Sequence, residues 1–379
     1  MGYKAMSKTF TSWTLGGDHG SPLTLANRLV VAPMCQYSAL DGKANDWHLT
    51  HWTNMLNSGA GLFIIEATAV TRDGRISPGC LGLWDDATAA ALAEHLHRAR
   101  AQAPAMPVCI QLSHAGRKGS SAAPWLGGAQ LDATEGGWST LAPSAIAHAQ
   151  GEEAPTEMTL ADIQATIDAF ANAADRAAQM GIDAIELHAA HGYLMHQFLS
   201  PISNHRTDSY GGDFQGRTRF VREVMARVRA VFPGPVGFRV SATDWVDGGW
   251  TPEDTMALAQ AMKDAGADYA HISTAGVSPM QKIPAGPGFQ LPFAQQVKQA
   301  TGMTTIGVGL ITEAQQVEAA LEAEQCDLVA VARALLFNPR WPWEVAAQLG
   351  GQVAASSPYL RSLPARAKEI FGNVRIGMR

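Results

Sequence analysis

The sequence predicts a closed α/β barrel, a (β/α)8 TIM barrel, and three observations support this fold class. Short apolar runs rich in Val, Ile and Leu alternate with longer segments of helical period. Most of these runs lack polar–apolar alternation, which is typical of strands buried on both faces of a parallel sheet. There are eight such units, the number that closes a barrel. An open doubly wound sheet is the alternative, but the chain has no GxGxxG turn to support it.

Eight barrel strands are predicted from the apolar runs. They cover residues 28–34, 61–70, 108–114, 184–189, 236–242, 269–274, 304–310 and 328–335. Helices are predicted between them, because apolar side chains from Leu160 to Ala174 and from Phe220 to Val231 recur at spacings of three and four residues. Thr159, Thr251 before Pro252, and Thr312 with Gln315 three residues later are predicted helix starts.

Two segments depart from the repeat. Residues 10–25 carry paired Gly and Pro and predict a short N-terminal hairpin beneath the barrel floor. Residues 116–158, which follow the third strand, form a long loop that we expect to cap the barrel mouth, because loops of this length are usually functional. We expect one domain over residues 1–379, with the barrel at about 28–345 and a C-terminal tail at 346–379.

Composition excludes several classes of partner. The 28 Lys and Arg residues against 34 Asp and Glu give a net charge of −6, which argues against a nucleic-acid or anionic-membrane partner. No stretch is long and apolar enough for a membrane span, and residues 1–14 do not resemble a secretory signal. The four cysteines show no CxxC spacing and are interpreted as free thiols, so we expect a cytoplasmic protein.

The strongest candidate site follows the fourth strand. Active sites of such barrels lie at the carboxyl ends of the strands, where His188, His191 and Tyr193 occur together. Two imidazoles can converge on one anionic oxygen, and a tyrosine beside them can donate a proton. A zinc site that adds His114 as a third ligand remains an alternative.

A second group of residues predicts a phosphate and a planar ring. Arg239 lies in a buried strand and must face an anion, because an unpaired buried guanidinium is costly. Gly307 and Gly309, with Arg333 one strand later, match the phosphate site that many barrels build after strands 7 and 8. With Gln111 on the third strand, this arrangement fits FMN lying across the barrel mouth.

These residues stand in motifs that resemble the old yellow enzymes, in particular the thermophilic-like and xenobiotic-reductase branch of ene-reductases. The resemblance runs from about Arg28 to Trp343. The motifs are Val31-Ala-Pro-Met-Cys-Gln-Tyr37, Gln111-Leu-Ser-His-Ala-Gly-Arg117, Glu186-Leu-His-Ala-Ala-His-Gly-Tyr-Leu194, Phe198-Leu-Ser-Pro201 through Asp208-Ser-Tyr-Gly-Gly212, Gly237-Phe-Arg-Val-Ser241 and Ala332-Arg333. Ala332 departs from the family, in which Gly commonly precedes the phosphate-binding Arg.

The resemblance implies an FMN enzyme that takes electrons from NADPH or NADH and reduces the C=C bond of α,β-unsaturated carbonyl compounds. Enones and maleimides are the implied substrates, with nitro compounds as further candidates. The implied FMN contacts are Ala32, Pro33, Met34, Cys35, Ala67, Gln111, Arg239, Gly309, Ala332 and Arg333.

The family's catalytic roles also carry over to this sequence. His188 and His191 resemble the donors to the substrate carbonyl oxygen, and Tyr193 resembles the proton donor. Cys35 resembles the residue that tunes the flavin potential, and Tyr37 resembles a further substrate contact. Arg361, in the tail, resembles only loosely a residue that the family delivers to a substrate pocket.

Two rival functions are kept open. One is a metal-dependent barrel lyase or hydrolase using His114, His188 and His191, whereas the favoured interpretation needs no metal. The other is a non-catalytic FMN-binding protein. The expected partner is a small unsaturated carbonyl compound, and the expected assembly is a homodimer or homotetramer.

Overall fold

The computed structural model describes residues 7–374 and contains a closed barrel of eight parallel strands. The strands are β1 (Trp13–Leu15), β2 (Leu23–Leu25), β3 (Leu29–Val31), β4 (Leu62–Ala69), β5 (Val108–Ser113), β6 (Leu141–Ala142), β7 (Thr156–Glu157), β8 (Ala184–Ala189), β9 (Val236–Ser241), β10 (Tyr269–Ser273), β11 (Thr304–Gly307) and β12 (Leu328–Val331). The barrel order is β3-β4-β5-β8-β9-β10-β11-β12, and β12 pairs with β3. The predicted (β/α)8 fold is therefore confirmed.

Helices surround the barrel. They are α1 (Asp46–Leu56), α2 (Asp86–Arg100), α3 (Leu160–Gln179), α4 (Leu194–Leu199), α5 (Phe214–Val231), α6 (Pro252–Asp264), α7 (Leu291–Thr301), α8 (Ala314–Glu322), α9 (Arg333–Phe337) and α10 (Trp341–Leu349). The apolar stripes predicted in α3 and α5 are buried except at one end of each, where Leu160 and Val231 are exposed. Within the described part of the chain, no helix is long and apolar enough to cross a membrane.

Two of the three predicted helix starts are confirmed. The Thr159 side chain accepts a hydrogen bond from the Asp162 N–H, and the Asp162 carboxylate accepts one from the Thr159 N–H. Thr251 caps α6 in the same way, with Pro at the first helical position. The start predicted at Thr312 is wrong by one residue. The N-cap is Glu313, because the Gln316 side chain reaches back to the N–H groups of residues 312 and 313.

Three barrel strands end three or four residues earlier than predicted, and the one predicted at 28–34 ends at Val31. The strand predicted at 304–310 ends at Gly307, because Gly309 and Leu310 take φ angles of +132° and +51°, outside the extended region. The strand predicted at 328–335 ends at Val331, and Arg333 begins helix α9. These last two runs were extended too far because apolar residues beyond the strand are buried as well.

The N-terminal hairpin closes the floor of the barrel. Strands β1 and β2 pair antiparallel, as predicted for residues 10–25. Leu15 and Leu25 are fully buried and join the cluster that fills the barrel interior, which also contains Leu62, Tyr269 and Leu328. Their burial removes this end of the barrel from water, so access to the interior is from the carboxyl ends of the strands.

The long loop after β5 lies over that open end. It contains short 3₁₀ turns and the two-residue pair formed by β6 and β7. The Trp125 ring of this loop packs edge-on against Tyr37, with ring centroids 5.7 Å apart. Arg117 anchors the loop by donating to the carbonyl oxygens of Ile146 and Val277. The loop therefore covers part of the mouth, as predicted.

The predicted C-terminal tail packs at the end of the barrel opposite the mouth. Ala346, Val353, Ile370 and Phe371 form a separate apolar cluster there, and Phe10 packs against it. Residues 1–6, part of the N-terminal segment predicted not to be a secretory signal, and residues 375–379, the end of the predicted tail, lie outside the described residues.

Candidate active site

Three side chains meet where β8 ends. The ring centroid of His188 lies 5.2 Å from that of His191 and 4.9 Å from that of Tyr193, both edge-on. His191 takes a φ of +58°, which turns its side chain back over the barrel. Gly192 makes this turn possible, since a Cβ there would lie 2.1 Å from the Gly276 carbonyl oxygen. The three residues predicted to act together are thus brought together.

Hydrogen bonds assign a role to each imidazole nitrogen. The Ala190 N–H donates to His188 Nδ1 at 3.3 Å, so the His188 proton lies on Nε2 and can be donated to a ligand. The Nε2 atom of His191 lies 2.8 Å from the Ser273 hydroxyl, which leaves Nδ1 for a ligand. Burial, reinforced by the positive charge of Arg239, lowers the pKa of both imidazoles well below the ordinary value. Both rings are therefore neutral near pH 7.

Lys118 was not predicted as a site residue. Its ammonium donates to the carbonyl oxygens of His191 at 2.9 Å and Gly276 at 3.1 Å, and lies 5.3 Å from the ring centroid of Tyr193. Burial and the neighbouring Arg117 lower its pKa to about 8. Lys118 thus holds the turn that carries the imidazole and phenol groups. The only signal in the sequence was its position directly after a quoted motif.

One wall of the site is a small apolar cluster. Ala67, Ile76, Cys80 and Ala115 form it, and the predicted site residues Cys35, Tyr37 and Tyr193 pack against it. Tyr37 takes a φ of +49°. Burial raises the pKa of the Cys35 thiol, the Tyr37 phenol and the Tyr193 phenol. All three groups therefore keep their protons near pH 7.

Glu66 lies beneath this wall, one residue before Ala67. Its carboxyl is buried, accepts the Gln36 N–H at 2.8 Å and lies 3.8 Å from His48 Nε2. Burial raises the pKa of Glu66 to about 8 and lowers that of His48 to about 4. The distance between Glu66 and His48 is that of an ion pair, but the shifted pKa values leave both side chains neutral near pH 7.

The floor of the site carries a guanidinium with an unused hydrogen-bond donor. Arg239 of β9 is buried, and among the described residues its Nε has no hydrogen-bond partner. It is in register with His188 on one side and His271 on the other. The Glu186 carboxylate acts on this charge, but Nε still lacks an acceptor, so this position fits a ligand that carries negative charge.

An open cavity of about 390 Å³ lies beyond β11 and β12, where the phosphate site is predicted. Gln290, Gly309, Ala332 and Arg333 are among the residues that line it. A Cβ on Gly309 would lie 3.1 Å from Gln290 Nε2, so the glycine keeps the backbone accessible here. Together with Arg239, the cavity fits an anionic ring with a phosphate at one edge, as in FMN.

The remaining residues predicted to contact FMN lie at the same end of the barrel. Ala32 follows β3 directly, and its N–H donates to the Val331 carbonyl oxygen at 3.0 Å. Pro33, Met34 and Cys35 continue from it, while Gln111 lies within β5 and Ala67 within β4.

Two predicted residues are not part of this group. Arg361 is exposed in the tail, whose Ser356 hydroxyl bonds the Asn57 side chain just beyond α1. His114 accepts the Gly116 N–H at 3.0 Å, and its ring lies against Gly74. Over residues 7–374, no three His, Cys, Asp or Glu side chains are grouped so that they could hold a metal ion.

Comparison with known proteins identifies the family. The sequence model described as the NADH:flavin oxidoreductase / NADH oxidase family matches residues 19–352. The NADPH dehydrogenase of Halalkalibacterium halodurans is 41% identical over 94% of this chain and 98% of the relative. The NADPH dehydrogenase of Listeria monocytogenes is also 41% identical, over 94% and 99%.

Solved structures agree with the sequence comparison. Morphinone reductase in complex with tetrahydroNAD is 26% identical and superposes with a TM-score of 0.72 over 92% of this chain and 93% of that one. An old yellow enzyme homologue from Zymomonas mobilis, 22% identical over 92% and 94%, has the same fold with a TM-score of 0.71. The chain therefore belongs to the NADH:flavin oxidoreductase / NADH oxidase family of old yellow enzymes and is an NAD(P)H-dependent oxidoreductase with FMN as its cofactor.

Proposed function

We propose that this oxidoreductase is an ene-reductase acting on α,β-unsaturated carbonyl compounds. The observation that carries the proposal is the grouping of two neutral imidazoles and a protonated phenol beside Arg239, whose Nε has no hydrogen-bond partner among the described residues. Bound FMN supplies hydride transfer, from NAD(P)H in one half-reaction and to the β-carbon of the substrate in the other. Enones and maleimides are the proposed substrates, with nitro compounds as further candidates.

The proposed cofactor contacts divide into two sets. Gly309, Ala332 and Arg333 would hold the phosphate, since they line the open cavity beyond β11 and β12. Gln111 and Arg239 would face the polar edge of the ring, where Arg239 Nε would find the hydrogen-bond acceptor that it lacks in the described part of the chain. Further contacts are proposed for Ala32, Pro33, Met34, Cys35 and Ala67.

The two histidines would hold the substrate by its carbonyl oxygen. His188 donates from Nε2, which carries its proton. His191 can donate from Nδ1 when the Ser273 hydroxyl, which in the structure donates to Gln290 Oε1, turns to donate to His191 Nε2. Negative charge develops on the carbonyl oxygen as hydride reaches the β-carbon, and fixed donors stabilise such charge. Tyr37, which packs against the same apolar wall as Tyr193, is the proposed further substrate contact.

Tyr193 would complete the reaction as the proton donor. Its O–H proton passes to the α-carbon of the substrate while hydride reaches the β-carbon, so that the C=C bond becomes a C–C bond. The phenolate that remains takes a proton from water. The Lys118 ammonium, 5.3 Å from the ring centroid, lies close enough to stabilise that phenolate.

Replacement of Tyr193 by phenylalanine tests this assignment. The enone half-reaction should slow by about 10²–10⁴-fold, because general-acid catalysis is lost. Reduction of the flavin by NADPH needs no proton on carbon and should be unaffected. Anaerobic stopped-flow absorbance separates the two steps. Tyr210→Phe is the matched control, since the Tyr210 hydroxyl bonds Glu223 outside the site. Equal slowing of both half-reactions by Tyr193→Phe would remove Tyr193 from this role.

The rival functions predict different results. A metal-dependent lyase or hydrolase should lose activity to a chelator and regain it with zinc. A non-catalytic FMN protein should show no rapid reoxidation of its reduced flavin by an enone. The thermophilic-like branch, the cytoplasmic location, the homodimer or homotetramer and the substrate contact by Arg361 stay predictions.

A further inference from the structure

A layer of buried polar side chains crosses the barrel directly below the proposed ring site. Gln111 Nε2 on β5 donates to Glu186 Oε1 on β8 at 2.7 Å. The other carboxylate oxygen of Glu186 lies 2.8 Å from Nδ1 of His271 on β10. Both side chains of this His–Glu pair are fully buried. Arg239, between them on β9, is in register with His271.

Glu186 is ionised in this layer. Burial alone would raise its pKa, but His271, Arg239 and the hydrogen bond from Gln111 hold the pKa below its ordinary value. Burial lowers the pKa of His271, so the imidazole is neutral near pH 7 and donates from Nδ1. The negative charge of Glu186 therefore acts on the same guanidinium that faces the flavin.

A contribution to protein stability does not explain why this layer contains a charged group. A buried ionised group is costly to desolvate, and apolar side chains of similar size often serve a protein core equally well. The layer below consists of such groups, including Ala184, Leu62 and Leu328. A charge retained at the level just below the cofactor points to a role in the chemistry of the cofactor.

We propose that Glu186, held by His271, is a positioning residue that orients Gln111 and offsets part of the Arg239 charge, and thereby lowers the midpoint potential of the bound FMN. One N–H of the Gln111 amide is taken by Glu186, so its carbonyl oxygen and second N–H remain for the cofactor. Reduction adds negative charge to the flavin, and a nearby carboxylate opposes that addition. The inference rests on FMN binding in the proposed site and not on the ene-reductase step.

The variant Glu186→Gln separates charge from position. Glutamine keeps an oxygen that can accept the Gln111 N–H but carries no charge. The equilibrium constant for two-electron reduction of bound FMN should rise at least about tenfold, a potential increase of about 30 mV. The potential is measured against reference dyes, with FMN affinity measured alongside. An unchanged or lowered potential in FMN-bound Glu186→Gln would overturn the proposal.

Asp327→Asn is the matched control. Asp327 is also buried and ion-paired, with Lys298 Nζ at 2.9 Å, but it accepts the Thr305 N–H at the start of β11, at the far end of the barrel. This variant should leave the flavin potential at the wild-type value. An equal rise in both variants would assign the effect to general loosening of the barrel and reject the role of Glu186.

The pH dependence of His271→Asn gives a second test. Without the imidazole, burial should raise the Glu186 pKa, so that the carboxyl is neutral at low pH and charged at high pH. The potential should then exceed that of the wild type at low pH and approach it as pH rises. An offset that is constant with pH, or no difference, would overturn the proposal even if Glu186→Gln fails to fold.

Few other groups can produce this pH dependence. Gln111 does not titrate, and Arg239 faces the carboxylate from β9 and remains charged. Cys109 of β5 and Tyr269 of β10 lie below it, and burial raises the pKa of both well above the ordinary value. A loss of enone reduction with the potential shift intact would count against the proposed function and leave this inference standing.

Discussion

Replacement of Glu66 by glutamine should change how the stability of the protein depends on pH. Burial raises the Glu66 pKa from its ordinary value of 4.5 to about 8 in the folded state. Between these values the folded protein binds a proton that the unfolded chain has released. Stability from this group is therefore full below the unfolded pKa and is lost as pH rises through the folded pKa.

The size of the effect follows from the separation of the two pKa values. Each pKa unit corresponds to about 1.4 kcal/mol. At about pH 6, two units below the folded pKa, the proton stabilises the folded state by about 2–3 kcal/mol, and at about pH 9 by almost nothing. Glutamine cannot ionise and still accepts the Gln36 N–H, so Glu66→Gln should gain about 2–3 kcal/mol relative to the wild type over this range.

Urea unfolding of the FMN-saturated protein, followed by tryptophan fluorescence from about pH 6 to about pH 9, measures this difference. Glu318→Gln is the control with the opposite sign. Hydrogen bonds from Ser7 and Thr9 hold the Glu318 pKa below its ordinary value despite partial burial. The ionised carboxylate therefore stabilises the folded state, and Glu318→Gln should not be more stable than the wild type at high pH. Parallel curves for the wild type and Glu66→Gln would refute the reasoning.

Three further predictions concern the proposed site. His188→Ala and His191→Ala should each weaken binding of phenols by about 1.5–3 kcal/mol, measured by flavin absorbance titration, and unchanged affinity would contradict their donor role. Cys35→Ser and Cys35→Ala should shift the flavin potential in dye equilibration while FMN stays bound, whereas identical potentials would make the thiol structural. Gly309→Ala should weaken FMN binding by fluorescence titration, because the φ of +132° and a contact at 3.1 Å resist a Cβ. Gly212→Ala is the control: Gly212 also has a positive φ but nothing lies near its Cβ position, so this variant should leave FMN binding unchanged.

The sequence predicted the barrel and the grouping of the candidate site residues because both depend on local patterns. Strands buried on both faces appear as apolar runs, and His188 and Tyr193 stand directly after one of them. The strand ends were less accurate, because Val308 and Leu335 are buried without belonging to a strand. Burial by itself does not distinguish a strand from the loop or helix that follows it. That residues 1–379 form a single domain stays a prediction.

Several parts of the candidate site depend on contacts between distant segments. Lys118 bonds carbonyl oxygens 73 and 158 residues away in sequence, and nothing local marks it as a partner of the catalytic turn. Glu66 was one of several polar residues near strand ends, and only its burial reveals its raised pKa. The Glu186–His271 pair likewise exists only once β8 and β10 lie in the same barrel.

The seam between β3 and β12 has a consequence for synthesis of the chain. Val31 pairs with Val331, and the Thr9 hydroxyl bonds Glu318, which lies 309 residues later. Strand β3 therefore leaves the ribosome long before β12, and until β12 is made, the backbone N–H and C=O groups on that edge of β3 have no partner strand. Such edges can pair with other chains, and contacts of long sequence separation form slowly. Aggregation during expression should therefore depend on how fast the last third of the chain is made.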